Sequence, residues 1–296
     1  MTKIKMHAEE TDITLEIVQE LIKTQFPMYA DLLIEPVLSA GTENRIYRLG
    51  STMAIRLPFT ANASFNIDKE YRWLPQLAPY LPLAIPIPLF KGLPDKNYPW
   101  SWYIYNWIEG KHATTKNTNN LHQSAIDLGN FIVALQKINT TNAPISKRGC
   151  ALNTIDDEFC TSLGLLNNVI DVSKAKKIWK RCLNIPSWSQ APAWIHGDLH
   201  PGNLLFNNGK LNAVIDFGIM GIGDPACDMM VAWTLFCADT RNTFRSTVNV
   251  DDATWIRGRG WALAFGVIAL PYYQNTNPTL ATIAHSTINE VLSESV

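Results

Sequence analysis

The side chains best suited to chemistry lie between Trp194 and Gly218. Asp198 and Asn203 stand close in the chain, with Pro201 and Gly202 between them. Proline fixes φ and glycine frees it, so this stretch reads as a tight, irregular loop. Asn207-Asn208-Gly209-Lys210 follows, between the apolar runs Leu204–Phe206 and Leu211–Ile215. An Asn-Gly pair in that setting predicts a hairpin with a type I′ turn. The hairpin should return the chain so that Asp216 faces the same loop. Two carboxylates and one amide oxygen are hard ligands, suited to a Mg²⁺ ion that also binds phosphates. Phosphoryl transfer needs a positioned metal, a positioned nucleophile and an acceptor for its proton, and little covalent help beyond these.

His196-x-Asp198-Leu199-x-x-x-Asn203 followed by Asp216-Phe217-Gly218 matches the catalytic loop and the Asp-Phe-Gly of protein kinases. The fuller string His-Gly-Asp-Leu-His-Pro-Gly-Asn, then Ile-Asp-Phe-Gly and Gly223-Asp224-Pro225-Ala226-x-Asp228, resembles the aminoglycoside phosphotransferase family. Those are small-molecule kinases with a protein-kinase-like fold. The resemblance implies Asp198 as catalytic base, Asn203 and Asp216 as Mg²⁺ ligands, and ATP or GTP as phosphoryl donor. It gives His196 a supporting role in the loop. Asp228 reads either as a helix-starting acid or, by the resemblance, as a buried acceptor for the loop backbone.

A kinase also needs a cation on the third strand, paired with a helix carboxylate, to hold phosphates. Met53-Ala54-Ile55-Arg56 stands where Val-Ala-Ile-Lys is expected, so the cation would be Arg56. Arginine keeps the charge but changes the geometry. Glu70 is the candidate partner on the following helix. Gly41-Thr42-Glu43-Asn44 stands where a phosphate-covering loop should be. The resemblance, aligned on Gly110, assigns base recognition to the carbonyl of Asn106 and the N–H of Ile108.

The elements around these residues predict an α+β, bilobal, protein-kinase-like fold. Residues 1–108 read as a strand-rich nucleotide-binding lobe and 109–296 as a mainly helical lobe carrying the catalytic loop and acceptor site. Thr11 or Asp12 should cap a first helix with Leu15, Val18, Leu21 and Ile22 on its apolar face. Strands are expected at Ile34–Ala40, Arg45–Leu49, Met53–Leu57, Trp100–Ile108 and Ala193–Ile195. A helix over Asn66–Ala78 should carry Tyr71, Leu74 and Leu77 on one stripe and be distorted or shortened by Pro75. Leu81–Pro88 reads as a loop, and Thr114–Asn120 as another. Further helices are predicted over Leu121–Ile138, Pro225–Ala238, Asp252–Tyr273 and Pro278–Leu292.

Of the 296 residues, 25 are basic and 26 acidic, a net charge of -1. That balance leaves no electrostatic footprint for nucleic acid or anionic lipid, so neither is expected as a partner. The longest apolar run, Trp261–Pro271, is too short for a membrane span. The first ten residues lack the apolar core of a signal peptide. Five cysteines, an odd number without a Cys-x-x-Cys pair, fit free thiols in the cytoplasm.

The expected acceptor is a small-molecule hydroxyl, on an aminoglycoside or macrolide antibiotic or on a metabolite such as choline or homoserine. Asp156-Asp157-Glu158 and Asp251-Asp252 could bind a polycation or could be ordinary helix-starting acids. Arg257 and Arg259 read as solvated or helix-pairing residues. A catalytically dead binding protein on the same fold is the other class, and the joint presence of Asp198, Asn203 and Asp216 argues against it.

Overall fold

Residues 53–58 organise the first half of the chain, because β-branched and aromatic neighbours flank them on both sides. The computed structural model describes residues 11–37, 41–114, 117–118 and 120–294. Strands β1 (Ile34–Pro36), β2 (Asn44–Leu49), β3 (Met53–Pro58), β4 (Pro88–Gly92) and β5 (Trp102–Asn106) form an antiparallel sheet ordered β1-β2-β3-β5-β4. Leu38–Ala40, expected to extend β1, lie outside the described residues. Side chains alternate across a strand. Ile55 and Leu57 of β3 therefore join Leu49, Trp102 and Ile104 in one core. Ala54 and Arg56 face the other way.

Helix α1 (Leu15–Gln25) closes the first core with Val18, Leu21 and Ile22. An isolated helix of 11 residues is marginal in water. Each of these fully buried side chains contributes about 1.5–3 kcal/mol, so docking holds the helix. Its cap is Thr14, which accepts from the Ile17 N–H, rather than Thr11 or Asp12. Thr11 is instead tied to the Phe59 carbonyl, which places it before the helix.

On the opposite face lies α2 (Ala61–Leu77), capped by Thr60. It begins earlier than the sequence pattern suggested and runs through Pro75. Proline removes one hydrogen bond, but Leu74 and Leu77 remain buried and hold the last turn. Tyr71 is exposed; the buried stripe is Ala63, Asn66, Ile67, Glu70, Trp73, Leu74 and Leu77. β4 starts on Pro88, the last residue of the stretch read as a loop, and its remaining residues were not anticipated as a strand. Proline is tolerated at the first residue of an edge strand, and Pro88 opens one here.

The helical part contains α3 (Leu121–Gln136), α4 (Asp156–Gly164), α5 (Val172–Leu183), α6 (Val231–Thr234), α7 (Ala238–Val248), α8 (Asp252–Tyr273) and α9 (Pro278–Ser293). α8 packs on α9, α5 and α4, while α3 packs on α7. α8 is buried on all sides from Thr254 to Leu270, as befits a central helix. Two small sheets accompany the helices: β6 (Lys111–His112) with β8 (Leu204–Asn207) and β9 (Lys210–Val214), and β7 (Ala193–Ile195) with β10 (Gly221–Gly223). The hairpin turn has φ of 49° at Asn208 and 78° at Gly209, the positive pair a type I′ turn needs.

The expected helix over Pro225–Ala238 is broken. A 3₁₀ turn covers Pro225–Met230, α6 follows, and α7 starts afresh at Ala238. α4 and α5 were not anticipated. By contact, the described residues up to Pro79, with Ala84–Glu109 and Val214–Gly218, form one unit. Tyr80–Leu83, Gly110–Ala213 and the described residues from Ile219 onward form the second. Among the described residues, no helix is long and apolar enough to cross a membrane.

Candidate active site

In the first unit the chemistry gathers around Arg56. The side chain leaves the middle of β3 on the α2 face and is 7% exposed. Its Nη2 donates to Glu70 Oε1 at 3.1 Å and to Asp216 Oδ1 at 2.8 Å. Tyr103, directly across the sheet from Arg56, donates its hydroxyl to Glu70 Oε2. Burial works against the guanidinium charge, but Glu70, Tyr103 and Asp216 outweigh it and keep Arg56 protonated. The Lys69 ammonium donates to the Gly218 carbonyl at 2.7 Å, pinning the turn that carries Asp216.

Asp216 itself has a φ of 64°. That left-handed conformation costs a non-glycine residue about 1–2 kcal/mol, and aspartate is among the few that visit it. Strain of this kind concentrates at functional sites. Asp216 Oδ1 is taken by Arg56, while Oδ2 has no hydrogen-bond partner among the described residues. The side chain is 39% exposed.

At the end of the sheet, Asn106 is doubly tied to Ile87. Its N–H donates to the Ile87 carbonyl at 3.2 Å, and its Oδ1 accepts from the Ile87 N–H at 2.5 Å. The Trp107 N–H goes to Thr52, whereas the Ile108 N–H meets no acceptor among the described residues.

In the second unit, β7 delivers the catalytic loop. Asp228, fully buried in the turn after β10, accepts from the His196 N–H through Oδ2 and the Gly197 N–H through Oδ1, both at 2.8 Å. Burial pushes its carboxyl up to about 7 against the pull of these two donors. Gly197 has a φ of 83°, which glycine adopts without penalty. His196 is buried, and its Nδ1 accepts from the Asp198 N–H at 3.2 Å. The loop is therefore held by its backbone on both sides of Gly197, and Asp228 takes the supporting position rather than a helix cap.

Asp198 is gripped by both oxygens. Oδ1 accepts from Arg148 Nη1 at 2.6 Å, and Oδ2 from Asn203 Nδ2 at 3.2 Å. Asn203 Nδ2 also donates to the Asp198 carbonyl at 2.9 Å. Burial alone would raise the Asp198 carboxyl. Arg148, then His200 and His196, outweigh it and hold it well below the usual carboxylate range. Asp198 is thus ionised at any physiological pH, with 23% of its side-chain surface open. His200 stacks on Phe265 and accepts from the Gly202 N–H, which closes the turn at Pro201–Asn203.

The donors on Asn203 are spent on Asp198 and His200, which leaves Oδ1 without a partner among the described residues. Each unit thus keeps one such oxygen, Asp216 Oδ2 in the first and Asn203 Oδ1 in the second. Among the described residues no cluster of three or more His, Cys, Asp or Glu could hold a metal by itself. A single free oxygen of this kind is a donor suited to Mg²⁺, which keeps several waters and is bound through one or two protein oxygens together with phosphates.

A model of the phosphotransferase enzyme family, APH, matches residues 36–262. The chain belongs to this family. An aminoglycoside 3'-phosphotransferase of Escherichia coli is 26% identical over 175 residues, 57% of this chain and 63% of that relative. The aligned stretch is therefore short of two thirds of that relative's length. An aminoglycoside 3'-phosphotransferase of Salmonella typhimurium is 24% identical over 208 residues, 66% of this chain and 73% of that protein. Among solved structures, the GDP complex of an aminoglycoside 2'-phosphotransferase variant superposes with a TM-score of 0.73 at 17% identity, covering 95% of this chain and 98% of that one. A macrolide 2'-phosphotransferase type I gives 0.61 at 17% identity, covering 94% and 98%. The two solved structures share the α+β fold of this chain.

Several side chains of this phosphotransferase-family chain sit otherwise than their types suggested. Arg257 and Arg259 are 4% and 8% exposed, not solvated. Arg257 forms a two-point pair with Asp224, Nε to Oδ2 at 2.7 Å and Nη2 to Oδ1 at 3.2 Å. Arg259 Nη2 donates to the Val291 carbonyl. Asp251 caps α8, Asp252 pairs with Arg245, and Asp156 accepts from the Trp179 indole. Arg148 escaped notice altogether. It belongs to no motif and reaches Asp198 only through the fold.

Proposed function

We propose that the protein is a phosphotransferase that moves the γ-phosphate of ATP or GTP to a hydroxyl of a small molecule, acting in the cytoplasm with Mg²⁺. The observation that carries this reading is the loop around Asp198. An ionised, half-open carboxylate is fixed by Arg148 and Asn203 on a backbone anchored by Asp228, beside an amide oxygen left free for a cation. Relatives and structural neighbours act on aminoglycosides and macrolides, and solved neighbours hold GDP or ATP. Those activities make an antibiotic hydroxyl the first acceptor class to test, with a metabolite alcohol of the choline or homoserine kind as the second. All five cysteines are unpaired, which suits a reducing compartment. Charge balance favours neither nucleic acid nor a membrane surface as partner.

In this reading Asp198 accepts the hydrogen bond of the acceptor hydroxyl and turns its oxygen toward the phosphorus. Arg56 holds donor phosphates, and Glu70 holds Arg56. Asn203 Oδ1 and Asp216 Oδ2 are the oxygens that would hold Mg²⁺. When bound, the ion supplies neutralisation of charge on the transferring group. Asn106 and Ile108 offer main-chain groups to the base. The direct test incubates the purified chain with radiolabelled ATP or GTP, Mg²⁺ and a panel of aminoglycosides, macrolides and metabolite alcohols. Label should appear on an acceptor. Nucleotide hydrolysis with no labelled acceptor across the panel would speak against the antibiotic classes.

The Arg56–Glu70 pair yields a second expected result. Arg56→Ala should mainly raise the nucleotide KM. Glu70→Gln should do the same by releasing Arg56, and it preserves shape in a site where deleting one ion-pair partner costs about 3–5 kcal/mol. The double variant should be non-additive by about 0.5–3 kcal/mol in the free energy of nucleotide binding, because the residues touch. Strict additivity in a calorimetric cycle would dissolve the pairing.

A further inference from the structure

Arg148 stands in the segment after α3 and donates from Nη1 to Asp198 Oδ1 at 2.6 Å and to the Gly197 carbonyl at 3.2 Å. Arginine has further N–H donors on Nε and Nη2. These make no hydrogen bond among the described residues, and the side chain keeps 35% of its surface open. The two sides of the Asp198 carboxylate are therefore unlike. Oδ2 faces Asn203 Nδ2 at 3.2 Å and His200 Nε2 at 3.6 Å. Asn203, whose Oδ1 is proposed above as a metal ligand, stands on that side. A hydroxyl that approaches from the remaining side meets Oδ1 together with the unused donors of Arg148.

We propose that Arg148 is a specificity-determining residue, and that the acceptor carries an oxyanionic group beside the hydroxyl it presents to Asp198. The inference rests on the phosphotransferase reading and narrows its acceptor class. A guanidinium is planar and permanently charged, and it binds a carboxylate or phosphate through two parallel N–H bonds. An ammonium group in the same position would meet a like charge. Several of the carboxylates a polycation could use are also engaged, although Asp157 and Glu158 on α4 stay exposed. Asp228 spends both oxygens on loop N–H groups, Asp224 both on Arg257, and Asp252 pairs with Arg245. Asp251 caps α8.

The test uses acceptors of one carbon skeleton and graded charge: gluconate, glucose 6-phosphate, glucose and glucosamine, each with Mg²⁺ and radiolabelled ATP or GTP. For the wild-type chain, kcat/KM for gluconate or for glucose 6-phosphate should exceed that for glucose by about 10–100-fold, the range of a hydrogen bond to a charged group. Which of the two gains tells carboxylate from phosphate. Glucosamine should fall below glucose. Arg148→Leu, which also frees Asp198 Oδ1, should lower kcat for all four acceptors and in addition raise KM for the anionic ones alone, so that the ranking in KM disappears, and Arg148→Lys should restore the order. A merely structural Arg148 would lower kcat for all four acceptors and the melting temperature while leaving the KM ranking intact, and that overturns the proposal. So does a glucosamine rate that matches or exceeds the others, or a ranking that survives Arg148→Leu. Where turnover of all four sugars is too slow to rank, they are compared as inhibitors of nucleotide hydrolysis to water, and an inhibition order blind to charge overturns the proposal equally. Loss of Mg²⁺-nucleotide binding in the wild-type chain would instead sink the phosphotransferase reading beneath it.

Discussion

Asp198→Asn should lower kcat by about 10²–10⁴-fold while Mg²⁺-nucleotide affinity and the fold persist. An alcohol is a poor nucleophile, and the variant keeps the shape of the side chain but loses its charge. The carboxyl is held far below its usual range by Arg148, so it is a weak base. Its contribution is then largely orientation of the hydroxyl, which a dissociative transition state rewards more than full deprotonation. An amide at this position also turns one donor toward Arg148 or toward Asn203 Nδ2, where donors already stand. A modest fall in melting temperature is therefore expected, with the loss in kcat far exceeding it. Melting temperature, nucleotide affinity and kcat measured on one preparation separate the roles. Parallel loss of all three would make Asp198 a loop anchor, and a near-wild-type kcat would remove it from the mechanism.

Asp216→Ala should abolish the Mg²⁺ dependence of nucleotide binding and most turnover. Partners that merely orient a metal ligand typically cost about 10–100-fold when lost, and a direct ligand should exceed that. Arg56 retains Glu70 in this variant, so the buried guanidinium stays paired. Calorimetric titration of nucleotide at increasing Mg²⁺ gives the readout: affinity should rise with the ion in the wild-type chain and stay flat in the variant. An unchanged Mg²⁺ response together with unchanged turnover would end the assignment of Asp216 as ligand.

Legibility in the sequence tracked how local the chemistry was. The Asn208-Gly209 turn could be read because positive φ is a property of two adjacent residues. The loop from His196 to Asn203 could be read because its bonds close within a few residues of one another. Arg56 and Glu70 were legible one level up, from strand position and helix order. Arg148 was not, since its partner lies 50 residues away and nothing near it repeats. Arg257 looked like a surface charge because its partner Asp224 is 33 residues distant and the helix that carries it, buried on all sides, shows no apolar-face signal. α2 through Pro75 and the broken segment after Pro225 are cases where burial of a few side chains outweighed local propensity.

The grouping of Val214–Gly218 with the first unit has a temporal meaning. Arg56, Lys69 and Ala84 each await a partner from that short stretch: the Asp216 carboxylate, the Gly218 carbonyl and the Val214 N–H. A chain growing from its N-terminus finishes Glu109 long before Gly218 exists. At roughly 5–20 residues per second, synthesis leaves the first unit without this stretch for several seconds. During that interval the Arg56 guanidinium lacks its Asp216 partner, and the Ala84 carbonyl lacks the Val214 N–H. A fragment cut at Gly110 would lack the stretch that completes its own unit, and it should melt below the same unit in the full chain.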